Sequence, residues 1–321
     1  MRQNNIFLML LKVFFFSLIL VATSAVRAEL KVVTTIKPLH SLIANVMDSV
    51  GEPALLIEGS TSPHSFTLKP SHAKLLEEAD IIFWVGESIE TFMERPLESI
   101  VKNAEVVEFM EVESINKLKF REESIFEDHD DHDNHDDHDD HDDHSGHDDH
   151  GHGHGEFDAH IWLDPMNAKE MVHEIAHELG DLDPANKNKY EANAQATIQA
   201  LDQLINDIEK GINKDAKFVV FHDAYQYFEE RFETRAAGAL TLNTDVLPGA
   251  KQIADIQDVI KDRGIKCIFS EPQFNPKIIT TIAEDMNIKT GVFDPLGANI
   301  DSNKDLYFKL IQNLGNELKG C

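Results

Sequence analysis

Positive charge is scarce in this chain. Its 321 residues include 29 Lys and Arg against 58 Asp and Glu, a net charge of −29. No basic patch with interleaved aromatics occurs, which excludes nucleic acid as a partner and favours cations. Acidity that serves solubility alone is the simpler alternative. Cysteine is scarcer still, with only Cys267 and Cys321. No P-loop is present, so ATP hydrolysis of that kind belongs to another chain. Between residues 129 and 154 there is no Lys, Arg, aromatic or aliphatic residue. That stretch cannot offset its ordering entropy by burial and is expected to be a disordered loop over 127–156.

What fills the stretch is DHDDHDNHDDHDDHDDHSGHDDHGHGHG, residues 128–155. Its histidines are His129, His132, His135, His138, His141, His144, His147, His150, His152 and His154. Eleven Asp lie among them, so the rest of the chain still carries −18 of the −29. Neutral imidazoles bind zinc-like cations and carboxylates attract them. A disordered ligand set loses entropy on ordering, so each such site is weaker than a preformed one. The tract reads as auxiliary capture or sensing that raises the local metal concentration. A charged spacer is the plainer alternative.

The first residues read as a leader. Arg2 and Lys12 precede VFFFSLILVA, and VRA at 26–28 supplies a cleavage site. Residues 1–28 are thus expected to be a secretory signal peptide rather than an uncleaved anchor. In an exported chain, two cysteines suggest one disulfide. Closing a loop of that length contributes about 4 kcal/mol in the chain-entropy account. Lipid attachment at Cys321 is disfavoured, because lipoprotein cysteines stand at the mature N-terminus.

Hydrophobic content is 42% over the whole chain, which lets the residues outside the tract form real cores, and the length suits two domains. Strand-like LKVVTTI, ALLIEG, DIIFWVG and AEVVEF alternate with helical segments, as do KFVVF, AAGALTL, KCIFS and KTGVF further on. The pattern predicts an α/β protein of two lobes, each a mainly parallel sheet flanked by helices. One long helix over 184–211 would join the lobes 29–183 and 212–321. At about 26 residues it would be roughly 39 Å long, with Tyr190, Ala194, Ile198, Leu201, Ile205 and Ile208 as its apolar stripe.

Open α/β sheets bind ligands at the carboxyl ends of their strands. Four metal-capable residues follow predicted strands or adjoin the tract: His64 in STSPHSF, His160 in FDAHIWLDP, His222 after KFVVF and Asp294 after KTGVF. Three imidazoles and a carboxylate match zinc's preference for four N/O/S ligands. Taken singly, each is as readily a hydrogen-bonded loop residue, and Asp294 before Pro295 a turn opener. Glu271 in SEPQF is placed to orient a ligand imidazole. His40 follows the first strand and could approach the site, with Phe66, Trp162 and Phe293 as walls. HEIAH at 173–177 matches the H-E-x-x-H zinc-protease pattern, with Glu174 as base. The candidate third ligand, Glu191, lies on a separate helix, and a solvated helix face is the simpler account.

The segments GSTSPHSFTLKPSHAKLLEEADIIFWVGES, DAHIWLDP, FHDAYQYF, EPQF and VFDPLG together resemble the substrate-binding proteins of bacterial ABC importers for transition metals (cluster A-I), most closely the zinc-uptake, ZnuA-type branch. The likeness runs from about Leu30 to the end. It implies two α/β lobes with a rigid linking helix, and a periplasmic, non-enzymatic receptor that is a monomer. Zn²⁺ would be its transported ligand, and its partners a membrane permease and a cytoplasmic ATPase. Its ligand positions fall on His64, His160 and His222, with Asp294 or water as the fourth. A Cys267–Cys321 pair and an acidic histidine-rich insert are also typical of the branch. The manganese branch differs by a Glu where His222 stands. A secreted zinc hydrolase using HEIAH, and a manganese receptor or adhesin of the same fold, are the alternatives.

Overall fold

The computed structural model describes residues 29–126, 156–242, 244 and 247–321. The leader and all ten tract histidines, His129 to His154, lie outside the described residues. Two sheets organise the rest. Strands β1 (Val32–Thr34), β2 (Ala54–Leu55), β3 (Ile81–Trp84) and β4 (Glu105–Glu108) form one, in the order β2-β1-β3-β4. Strands β5 (Phe218–His222), β6 (Ala236–Thr241), β7 (Cys267–Ser270) and β8 (Lys289–Val292) form the other, ordered β6-β5-β7-β8. All pairings within both are parallel. The two orders are the same permutation, so the lobes share topology as well as element order. Inner strands β1, β3 and β5 are buried at every residue, as sheets covered on both faces require.

Among the described residues, the helices are α1 (Lys37–Val46), α2 (Pro70–Glu78), α3 (Glu94–Ser99), α4 (Pro165–Leu182), α5 (Lys187–Glu209), α6 (Gln226–Phe232), α7 (Ala250–Asp262), α8 (Lys277–Met286) and α9 (Leu306–Leu318). Helix α4 starts where its sequence directs: the Asp164 carboxylate accepts the Met166 N–H at 2.8 Å, and Pro165 takes the first position. The long helix α5 is shorter than its pattern suggests. Asp183 accepts Asn186 Nδ2 at 2.6 Å and the Tyr190 hydroxyl at 3.2 Å, so residues 183–186 form a turn that takes Pro184 out of the helix. Its buried face is Tyr190, Ala194, Thr197, Leu201, Leu204 and Ile208, with Ile198 and Ile205 at the border.

Helix α5 packs on α4 and α1 from the first half and on α9 from the second. One continuous apolar core runs from Val32 to Leu318 across both sheets, and a smaller one lies under α7 and α8. Polar bonds also cross between the halves. Arg231 of α6 grips Asp164 with two bonds of 2.7 and 2.8 Å, and the Tyr307 hydroxyl donates to the Trp162 carbonyl at 2.7 Å. Residues 124–126, expected with the first lobe, instead lie antiparallel along β6. Phe126 N–H donates to Ala237 at 3.1 Å and Ala239 N–H to Ser124 at 2.8 Å. Gly238 permits this approach: a Cβ there would come 2.6 Å from the Ser124 carbonyl oxygen.

Cys267 and Cys321 form a disulfide across 54 residues. It ties the start of β7 to the terminal residue, at the end of the strand opposite Glu271. Replacing both cysteines by alanine is expected to lower unfolding stability by about 2–4 kcal/mol in denaturant melts. Zinc affinity should stay unchanged, because the bond lies about 13 Å of strand away from Glu271.

Candidate metal centre

Three histidines meet between the two sheets. His64, His160 and His222 each present one ring nitrogen, and these atoms all lie within 4.8 Å of one another. Ring centroids are 5.6 Å apart for His64 and His160, 5.4 Å for His64 and His222, and 4.9 Å for His160 and His222. His160 and His222 are each 3% exposed, and His64 is half-buried.

A different local device positions each ring. His64 stands in a tight turn, Pro63–Ser65, entered from extended Ser62, with buried Pro63 fixing the backbone. His160 is set by Asp158, two residues earlier. The Asp158 Oδ1 accepts the His160 backbone N–H at 3.0 Å and faces its Nδ1 at 2.7 Å. Tyr227 fixes that loop, donating its hydroxyl to the Asp158 carbonyl at 2.6 Å and accepting the Leu118 N–H at 2.9 Å. His222 ends β5, at the point where the chain order reverses between β6 and β7, the usual ligand position in such sheets. Its Nδ1 lies 3.4 Å from Oε1 of buried Glu271, just past β7. In both rings a carboxylate lies on the Nδ1 side, so the neutral tautomer with its proton on Nδ1 leaves the Nε2 lone pair for a cation.

The electrostatics suit the same task. Burial holds His160 well below the ordinary histidine value of 6.5, and the neighbouring His222 charge adds to this. His160 is therefore a neutral ligand. Burial also pulls His222 down, but the charge and hydrogen bond of Glu271 outweigh it, together with Asp223 and Asp158, and the net shift is upward. Burial raises Asp158 to about 7 against the His160 backbone bond and the attraction of His222 and Arg121. Behind the imidazoles, Arg121 answers the acids. It bonds Asp223 at 2.9 Å and Glu229 at 2.7 Å, and its guanidinium lies 4.0 Å over the Phe126 ring. The pocket the three rings line with Trp162, Glu271 and Leu296 has room for about one water-sized sphere, about 10 Å³.

Several sequence expectations are placed elsewhere. Among the described residues Asp294 is not in the donor group. Its Oδ1 accepts the Leu296 and Gly297 N–H groups at 3.1 and 3.0 Å and Gln273 Nε2 at 3.0 Å, and its Oδ2 accepts the Ala298 N–H at 2.6 Å. The carboxylate folds its own loop instead of facing the rings. His40 turns away as well: Nε2 bonds the Pro53 carbonyl at 3.1 Å, beside a separate cavity near Asp48 and Lys304. Phe66 packs on Phe92 and His72, and Phe293 stacks on Phe269 at 4.0 Å; neither lines the site. Trp162 does line it, with Ile89, Gln273, Phe274, Pro295 and Leu296. His173 and His177 are exposed on α4, and no third donor groups with them among the described residues.

Asp158 and Phe274 also belong to the site, outside the residues the sequence singles out. An aspartate two residues before a candidate ligand, as in DAH, is a readable signal, since its carboxylate can reach both the following N–H and the imidazole. Asp158→Asn is expected to weaken zinc binding roughly 10- to 100-fold, the usual cost of losing a carboxylate that orients a ligand histidine. Competition titration against a zinc chelator measures it, and a loss under about threefold would remove Asp158 from the account.

Three imidazoles from two parallel-sheet lobes give a two-lobed α/β protein a donor group that could hold a divalent ion, suited to zinc, cobalt, nickel or copper over magnesium or calcium. The family described as the periplasmic component A of the zinc-uptake complex, ZnuA, matches residues 32–321. The chain belongs to this family. It is 48% identical over 303 residues to the high-affinity zinc uptake system protein ZnuA of Brucella abortus (strain 2308), covering 90% of this chain and 91% of that one. It is 32% identical over 307 residues to the protein of the same name from Yersinia pestis, covering 95% of each. In fold it is similar to a solved structure described as the crystal structure of ZnuA, with a TM-score of 0.71 at 22% identity, over 90% of this chain and 98% of that one.

Proposed function

We propose that this protein is a periplasmic zinc receptor that captures Zn²⁺ between its lobes through His64, His160 and His222 and delivers it to a membrane permease driven by a cytoplasmic ATPase. The observation that carries this reading is the approach of three ring nitrogens, from segments distant in sequence, to within 4.8 Å of one another. The names of its relatives, high-affinity zinc uptake proteins, support zinc as the cargo. The role is binding and release; the chain is a receptor and not an enzyme. His129 to His154 supply weaker, auxiliary ligands, and water completes the ion's coordination in place of Asp294.

Deleting residues 128–155 and titrating zinc by calorimetry tests the division of labour. One tight site per chain should persist while weak binding is lost. Loss of the tight phase would reverse the assignment. In the same assay Glu174→Gln should leave zinc affinity unchanged, and the zinc-loaded chain should cleave no peptide substrate. A large loss of affinity in that variant would favour the hydrolase reading of HEIAH.

A further inference from the structure

Lys37 is a buried lysine, 5% exposed, at the first position of α1. Its Nζ donates across the lobe boundary to three main-chain carbonyls: Gly297 at 2.7 Å, Ala298 at 3.1 Å and Ile300 at 2.6 Å. Three acceptors call for three N–H bonds, which only the charged ammonium has. Burial lowers the Lys37 pKa, and the charges of Asp294 and Asp301 oppose this.

The same loop is held from its other side. The Asp294 carboxylate gathers the N–H groups of Leu296, Gly297 and Ala298. Trp162, two residues past His160, donates its indole N–H to the Pro295 carbonyl at 2.8 Å. So the first lobe grips this loop twice, through Lys37 and Trp162. Pro295 and Leu296, the residues next to Asp294, are walls of the three-histidine site, and Gln273, which bonds Asp294, is another. The carboxylate thus stands one residue behind the wall and is spent on the loop's own amides.

Resting on the receptor reading, we propose that Lys37 is a specificity-determining positioning residue: by clamping loop 294–300 against the first lobe it withholds the Asp294 carboxylate from the ion, so that the protein's contribution is three imidazoles. A nitrogen-only set selects zinc-like ions, whereas an added carboxylate favours harder ions such as manganese. Lys37 touches neither ion nor rings. Its influence passes through the loop, where an ammonium on the carbonyls and a carboxylate on the amides oppose each other across one turn.

The test measures Zn²⁺ and Mn²⁺ affinities of the full chain, its Lys37→Met variant and the Lys37→Met/Asp294→Asn double variant. Manganese affinity relative to zinc should rise at least about tenfold in Lys37→Met, as a carboxylate becomes available, and return in the double variant. Lys37→Gln, which keeps two donors but no charge, replaces Lys37→Met if the latter does not fold. A folded variant with an unchanged metal ratio overturns the proposal. So does a zinc-loaded structure of the unmodified chain with Asp294 bonded to the ion, a result independent of any variant's folding. Failure of the unmodified chain to bind zinc at all overturns the receptor reading itself, and the clamp's role with it.

Discussion

Replacing His222 by alanine should weaken zinc binding by more than the roughly 10- to 100-fold expected for a residue that only orients a ligand. His222 supplies one of three donors grouped within 4.8 Å, and of the three it is the one the second sheet contributes. Its loss leaves His64 and His160, two donors for an ion that prefers four. The loss also removes the ring that lies 3.4 Å from buried Glu271. Glu271→Gln should cost less than His222→Ala, since the ring remains and only its orientation loosens. If both variants lose the same small factor in a chelator competition, His222 is a wall residue and not a ligand.

Zinc affinity should also fall steeply with acid. His160 is held neutral by burial, so it releases no proton when the ion binds. His222 is raised from 6.5, because Glu271 outweighs the effect of burial, so zinc must displace its proton at a higher pH than from a free histidine. Asp158, raised to about 7, gives up a second proton as the cation binds behind its partner ring. Log affinity against pH should therefore rise with a slope of at least about one below neutrality and flatten above the His222 titration.

The linkage to stability of the metal-free protein has a definite sign. Because its folded pKa is raised, His222 contributes stability that is fully present below 6.5 and is lost as pH rises through the raised value. His160, with a lowered folded pKa, acts oppositely: its contribution is lost as pH falls below 6.5. Zinc selects the deprotonated site, so its thermal stabilisation of the fold should be larger at about pH 8 than at about pH 5.5. Calorimetric titration across that range, with the tract deleted to remove its own imidazoles, measures the slope. An affinity constant over the range would contradict these proton assignments.

Much of this was legible in the sequence. Apolar β-branched runs alternating with helical spacing indicate two parallel-sheet lobes, and histidines past predicted strands (His64, His222) or beside the tract (His160) are the three rings that meet. The number of cysteines gave the disulfide. Orientation was harder to read than position. Asp294 stands where a ligand could stand, but the three N–H groups that follow it turn its carboxylate inward, and backbone amides leave no mark in a sequence. A lysine opening a helix reads as a solvated charge, so nothing local showed Lys37 reaching another lobe. Phe66 and Phe293 failed as walls for a similar reason: aromatic neighbours in space decided their facing. Asp158 is readable two residues before His160, but only once it is separated from the aspartates of the adjoining tract.

The most direct test of the central claim is an anomalous scattering map at the zinc absorption edge, from crystals of the zinc-loaded protein. The account predicts one strong peak per chain, bonded at about 2.0–2.1 Å to a ring nitrogen of each of His64, His160 and His222. A principal peak elsewhere, or one held by fewer than two of these rings, would contradict it.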